Sequence, residues 1–313
     1  MEVAMSGVAH DGALAQTCSI SDVEREIGVA KETLRVWERR YGFPLPLRDG
    51  LGERRYPLVQ VEKLRVIKRL IDLGARPGKI MQAGMPELQR MANAAQAMPK
   101  GACSPLLHTC MSLIKSHRIH DLRNGLSQAI LQDGLRRFVL DVAAPLTAMV
   151  GDAWASGEFA VFEEHLYTES LQMVMRSAML ATAPPAELAA PRILLTTVPQ
   201  ERHALGLLMV EALMTLAGAH CLSLGVQTPI AEILLAAEKQ RVDVIALSFS
   251  SAMTPRQAMD SLQELQARLP AARQLWVGGN CALFVQKTEL PCQVLDLTQC
   301  EDAVVRWRRQ AGQ

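Results

Sequence analysis

The spacing of apolar positions along the 313 residues changes twice. Near the front the patterns are short. Ser19 or Ser21 can cap a first helix running to about Ile27. Gly28 then permits a tight turn, and a second helix is expected from near Lys31 to Tyr41. Gly42–Leu58 holds Pro44, Pro46, Gly50 and Gly52 with Arg48, Arg54 and Arg55 among them, so it predicts a small hairpin rather than a helix. Val61, Leu64, Ile67, Leu70 and Ile71 then keep helical spacing as far as Gly74, with shorter helices near 77–83 and 86–97. From 105 to 182 the helical period is continuous. Breaks near Arg118, Asp133-Gly134 and Ser156-Gly157 divide it into four helices, at about 105–117, 119–131, 135–155 and 160–181. An antiparallel four-helix bundle is the economical packing. Beyond Arg192 short apolar runs alternate with helical stretches: Ile193–Thr197, Cys221–Leu224, Val244–Leu247, Leu275–Val277 and Val294–Leu295. That alternation predicts a doubly wound parallel sheet of flavodoxin-like type, with its ligand at the carboxyl ends of the strands.

Four segments follow: a disordered lead-in at 1–16, then domains at 17–98, 104–182 and 191–311, with linkers at about 98–105 and 183–191. Composition refines this. Net charge is only +1, yet residues 17–90 carry 15 Lys and Arg against 10 Asp and Glu, leaving the remainder at −4. A basic front on a mildly acidic body suits a nucleic-acid module joined to something else. Seven cysteines with no C-x-x-C spacing argue against a disulfide framework or a zinc site, and for a reducing compartment. The start of the chain lacks the pattern of a signal peptide, no run of 18 apolar residues is present, and the stretch near Leu205–Leu216 is interrupted by Glu211. The expectation is a cytoplasmic protein with no membrane partner.

The basic front carries a specific pattern: Ile20-Ser21-Asp22-Val23, Ile27-Gly28-Val29, then Thr33-Leu34-Arg35-Val36-Trp37-Glu38-Arg39-Arg40-Tyr41-Gly42 and Arg54-Arg55-Tyr56. A short helix, a glycine turn and a basic second helix can place the latter in the major groove. Arg35, Arg39 and Arg40 offer guanidinium forks, and Lys31 and Thr33 stand at a helix start where backbone N–H groups attract phosphate. Tyr41 ends that helix; Arg54, Arg55 and Tyr56 would touch the flanking backbone of the duplex. Leu34 and Trp37 read as core. Over about residues 18–80 this closely resembles the MerR family of winged helix-turn-helix regulators. The resemblance implies double-stranded operator DNA as partner and at least a dimer, with RNA polymerase engaged only indirectly.

Behind the first expected strand of the sheet stands Glu201-x-His203-x-x-Gly206. An imidazole can give an axial nitrogen to cobalt, a nearby carboxylate can hold the other ring nitrogen's proton, and a glycine lets a ligand approach the backbone. The run resembles the cobalamin-binding motif D-x-H-x-x-G, with Glu for Asp. The interval of 41 residues to Ser248-Phe249-Ser250 and of 27 more to Gly278-Gly279 matches that family's S-x-L and Gly-Gly elements, Ser250 replacing Leu. Small residues there would leave a slot for the nucleotide tail of the corrinoid.

In the helical region Trp154 is followed, after nine residues, by Glu164-His165. This resembles the motif of light-sensing, adenosylcobalamin-dependent repressors of the CarH and LitR type, extending the resemblance over about 18–310. It implies that the bundle caps the corrin, that Trp154 packs on the adenosyl group, that Glu164 hydrogen-bonds it and that His165 helps close that face. It also implies assembly to a dimer or tetramer that binds the operator in darkness. Some members have His directly after this Trp, as a cobalt ligand in the lit state; here it is Ala155. The expected function is a non-enzymatic, cobalamin-controlled transcriptional regulator. A light-independent cobalamin sensor, a ligand-free repressor and a cobalamin-dependent enzyme module are the alternatives. The last would require a large catalytic barrel, for which the chain has no sequence.

Overall fold

The computed structural model describes residues 17–72, 75–95, 104–182, 190–285, 290 and 292–312. These fall into two compact units. The first holds the described residues up to 95 together with 151–160; the second holds 104–150 and the described residues from 161 onward. The lead-in expected at 1–16 and most of both expected linkers lie outside the described residues.

In the first unit, Ser19 ends strand β1 (Thr17–Ser19) and caps α1 (Ile20–Ile27). Its hydroxyl accepts from the Asp22 amide at 3.2 Å while the Asp22 carboxylate accepts from the Ser19 amide at 3.3 Å, a reciprocal pair that fixes the helix start. Gly28, at φ 73°, stops the helix in the left-handed conformation that glycine adopts without strain. Helix α2 (Lys31–Tyr41) follows. The expected hairpin is present: β2 (Leu47–Arg48) and β3 (Arg54–Pro57) pair antiparallel, and β1 joins on the other side of β3. Asp49 shapes the tip, its carboxylate accepting from the amides of Leu51 and Glu53 at 3.0 and 2.9 Å. Then come α3 (Leu58–Asp72), the single turn α4 (Pro77–Ile80) and α5 (Met85–Ala95). Val23, Leu34, Trp37, Tyr56, Leu64 and Ile67 make the centre of the core.

The second unit begins with α6 (Pro105–Lys115) and α7 (Ile119–Arg137). The break expected at Asp133-Gly134 is a kink within α7, at Gly134 (φ 79°, ψ 157°). A π-helical stretch, Phe138–Ala143, then leads into α8 (Ala144–Ala155), and α9 (Val161–Leu180) follows. By length and composition the path Ile119–Ala155 is apolar enough to cross a membrane, and 44% of its most apolar window is buried within the protein. A search for uninterrupted apolar runs misses it because isolated polar residues punctuate it. Buried Glu163 accepts from Lys115 at 3.0 Å and from His117 at 3.2 Å, tying α9 to the end of α6.

The sheet contains β4 (Arg192–Thr196), β5 (His220–Gly225), β6 (Val244–Phe249), β7 (Gln274–Gly279) and β8 (Gln293–Val294), all parallel, in the order β5-β4-β6-β7-β8. Helices α10 (Leu205–Leu216), α11 (Ile230–Lys239), α12 (Pro255–Arg268) and α13 (Cys300–Ala311) alternate with the strands. Ile193, Leu194 and Leu195 are fully buried, as a central strand covered on both faces requires. The strand order reverses between β4 and β6, and the crevice at such a switch point is where doubly wound sheets bind ligands. Helix α9 is fastened to α10 through Arg176, whose Nη1 donates to both oxygens of Glu211 at 3.0 Å.

Candidate functional site

The exposed face of α2 presents Arg35, Arg39 and Arg40, while Leu34 and Trp37 face the core. Arg40 lies against the Tyr41 ring, 5.3 Å from its centroid. Lys31 is engaged within the unit: its amide donates to Glu24 at 3.2 Å and its ammonium lies 3.6 Å from the same carboxylate. Thr33 is half-buried. On the wing, Arg55 is half-buried with Nε donating to Thr17 at 3.3 Å. Arg54 donates to Glu38 at 2.9 Å and thereby pins the wing to α2. Glu38 is a positioning residue that sequence reasoning passed over; the signal was a carboxylate inside an otherwise basic helix.

Tyr56 requires a correction. It is fully buried in the core and its hydroxyl has no partner, so it packs beneath the wing and is not placed to touch DNA. Burial pushes its phenol above the ordinary value, ahead of the repulsion from Glu38.

The cobalt-ligand candidates converge at the switch point. Glu201 follows β4 and is 1% exposed. Its backbone is held by Thr197, whose hydroxyl donates to the Glu201 carbonyl at 2.6 Å and accepts from the Gln227 amide at 2.8 Å. One carboxylate oxygen of Glu201 accepts from His203 Nδ1 at 2.6 Å and from the His203 amide at 2.9 Å. The other accepts from the Ser250 amide and hydroxyl, both at 2.7 Å. The Ser250 hydroxyl is also 2.9 Å from His203 Nδ1. The residue that departs from the S-x-L pattern thus completes the cluster.

Burial, the largest influence on Glu201, pushes its carboxyl up, but bonds from His203 and Ser250 outweigh it and the net shift is downward. The carboxylate is therefore ionised at neutral pH and must accept. Nδ1 of His203 must then carry the proton, leaving Nε2 as a free lone pair on a side chain that is 60% exposed. Because the folded carboxyl lies below its ordinary value, its stabilising effect is complete above the ordinary carboxylate range. It is lost as pH falls through the lowered value.

The glycines are placed where side chains do not fit. A Cβ on Gly206 would stand 2.9 Å from Ser248 Oγ, and one on Gly278 would stand 2.6 Å from the Leu295 carbonyl. Gly279 has φ +111°, and a Cβ there would lie 2.1 Å from the Phe249 carbonyl. An oriented imidazole with a free nitrogen beside this narrow glycine edge fits a corrinoid whose cobalt takes a nitrogen donor. Burial raises the thiols of Cys110 and Cys292 to about 11 and of Cys221 and Cys300 to about 12. Among the described residues no group of three or more His, Cys, Asp or Glu could hold a metal ion.

On α9, Glu164 accepts from Thr168 at 2.6 Å and lies 3.9 Å from the exposed His165. Trp154 is half-buried and belongs to the first unit, with residues 151–160. His117, which no motif claimed, packs edge-on against Phe162 at 5.2 Å besides pairing with Glu163.

Residues 18–83 match the MerR HTH regulatory protein family, residues 191–306 match a B12 binding domain and residues 88–178 match a second type of B12 binding domain. The chain thus resembles, segment by segment, a MerR-type DNA-binding domain and two types of B12 binding domain. Among its relatives are two HTH-type transcriptional repressors of Myxococcus xanthus. CarH is 29% identical over 263 residues, spanning 82% of this chain and 86% of CarH. CarA is 29% identical over 260 residues, spanning 79% and 82%. The solved monomethylamine corrinoid protein of Methanosarcina barkeri superposes with a TM-score of 0.51 at 13% identity, over 66% of this chain and all of that one; the likeness is one of fold. The chain therefore joins a DNA-binding module to a cobalamin-binding one.

Proposed function

We propose that this MerR-type regulator represses transcription in the cytoplasm by holding a double-stranded operator while loaded with adenosylcobalamin, and releases it on illumination. The observation that carries the reading is the Glu201–His203–Ser250 cluster, which presents Nε2 as a cobalt donor in a chain whose other end is a DNA-binding module. When bound, adenosylcobalamin supplies a cobalt–carbon bond that light can break. His203 would hold the metal through Nε2 and Glu201 would keep its tautomer. Trp154, Glu164 and His165 would contact the upper ligand, as the resemblance to CarH-type repressors implies. Gly206, Ser248, Gly278 and Gly279 would line the path of the nucleotide tail. A single winged domain makes few base contacts, so a dimer or tetramer on a near-palindromic site is part of the proposal.

The test is operator gel shift and size-exclusion chromatography with adenosylcobalamin, in darkness and after green light. The expected result is a larger, DNA-bound assembly in darkness and a smaller, released one after light. Equal assembly and equal affinity in both states would overturn light control. Ala155, with no imidazole to give, would then favour a regulator of cobalamin level instead. For the DNA face, Arg39→Ala and Arg40→Ala should each lower the magnitude of the salt slope of binding by about 0.9 if they neutralise one phosphate. Arg39→Ala should instead cost ~1–3 kcal/mol at one base pair if its fork reads guanine.

A further inference from the structure

Trp154 has an environment that its motif does not explain. Within the first unit its ring is covered by the guanidinium of Arg65, whose Cζ lies 4.8 Å from the ring centroid. Arg65, on α3, is 6% exposed. Its Nη2 donates to Glu26 of α1 at 2.5 Å, and its Nε is buried without a partner. One helical turn further along α3, Arg69 grips the same segment: Nη1 donates to the Asp152 carbonyl at 2.9 Å and Nη2 to its carboxylate at 2.5 Å. From α5, Gln89 donates to the Ser156 carbonyl at 3.1 Å. Three side chains of the winged domain therefore hold the Trp154 turn.

The contact runs toward the DNA face. Trp154 stacks on Arg65, and Arg65 pairs with Glu26, two residues before the Gly28 turn that leads into α2. We infer that Arg65 is the positioning residue through which the DNA-facing helices sense Trp154. The inference rests on the proposed role of Trp154 at the upper ligand. A buried guanidinium cannot exchange a lost indole for water, so a displaced Trp154 changes the balance at Arg65 and Glu26 more than an exposed stack would. An effector alters DNA affinity only through contacts that differ between the two states, and this stack is such a contact. The coupling is reciprocal: operator binding must change adenosylcobalamin affinity by the same factor.

The experiment uses the full chain in darkness and reads the ratio of operator Kd without and with adenosylcobalamin. Arg65→Met removes the charge and leaves Glu26 partly solvated. Arg65→Lys keeps the charge but loses the planar fork, and thermal unfolding shows that both variants fold. The ratio should fall toward 1, by roughly 3- to 30-fold, the scale of a partly to fully desolvated cation–π contact. The absorption spectrum of the bound corrinoid should not change. Adding Trp154→Ala to Arg65→Met should lower the ratio no further. A wild-type ratio in both Arg65 variants, or losses that simply add in the double variant, would overturn the inference.

If the wild type itself ignores adenosylcobalamin, it is the proposed function that falls. Hydrogen exchange across 151–160, measured without corrinoid, then still tests the clamp. Faster exchange in Arg65→Met supports it, and unchanged exchange overturns it.

Discussion

His203→Ala will bind hydroxocobalamin and adenosylcobalamin at least ~100-fold more weakly than the wild type, since losing only an outer partner of a metal ligand typically costs ~10–100-fold. Whatever binds will show the spectrum of a cobalt carrying its own benzimidazole or water, not a protein imidazole. The expectation follows from the wiring of Glu201. Both of its oxygens are saturated by N–H and O–H donors, so it cannot itself turn to the metal. Without the imidazole, a carboxylate that is 1% exposed loses its principal donor and no nitrogen remains to ligate. Ser250→Ala removes one hydroxyl and leaves the amide in place, so its loss should be nearer 10-fold, with the imidazole spectrum kept. Titration of each variant followed by absorption checks both. A His203→Ala protein with wild-type affinity and spectrum would remove His203 from the site.

Gly279→Ala should destabilise the sheet domain by about 3–5 kcal/mol, enough to abolish corrinoid binding through unfolding. Two costs coincide there: a φ of +111° that L residues rarely adopt, and a backbone oxygen 2.1 Å from the new methyl, on the neighbouring strand β6. Neither can relax without breaking the ladder. Gly225 is the control. It also has positive φ (79°) but open space around it, so Gly225→Ala should cost only ~1 kcal/mol. Chemical denaturation of the full-length variants measures the difference. Equal stability of the two would mean that β6 and β7 do not approach as described.

The strands of the sheet were legible because central parallel strands are apolar on both faces, and Ile193-Leu194-Leu195 reads that way without structural help. The metal-ligand candidate was legible because Glu201, His203 and Gly206 lie within six consecutive residues. What could not be read was any contact between distant positions. Ser250 looked like a lapse in a packing pattern, and only the fold brings its hydroxyl across 49 residues to Glu201. Arg65 carries no motif of its own, and its indole partner is 89 residues away. Tyr56 was misread through its neighbours, since an Arg-Arg-Tyr run on a wing suggests three contacts with DNA. Alternation along β3 gives a different answer: Tyr56 shares a side of the strand with Arg54, which turns toward Glu38 of α2. The π-helical stretch at Phe138–Ala143 left no mark either, because its residues, with Asp141 exposed among apolar neighbours, keep an ordinary helical pattern.

The buried thiols bear on how such a protein wears. A thiol raised to about 11 is ionised in only about one molecule in ten thousand at neutral pH, and the thiolate is the form that ligates metals, attacks disulfides and oxidises first. Samples passed many times between reductant, air and lamp should therefore carry no disulfide through Cys110 or Cys292, as non-reducing peptide maps would show. Their loss of activity should track corrinoid leaving the protein, and fresh cofactor should restore it.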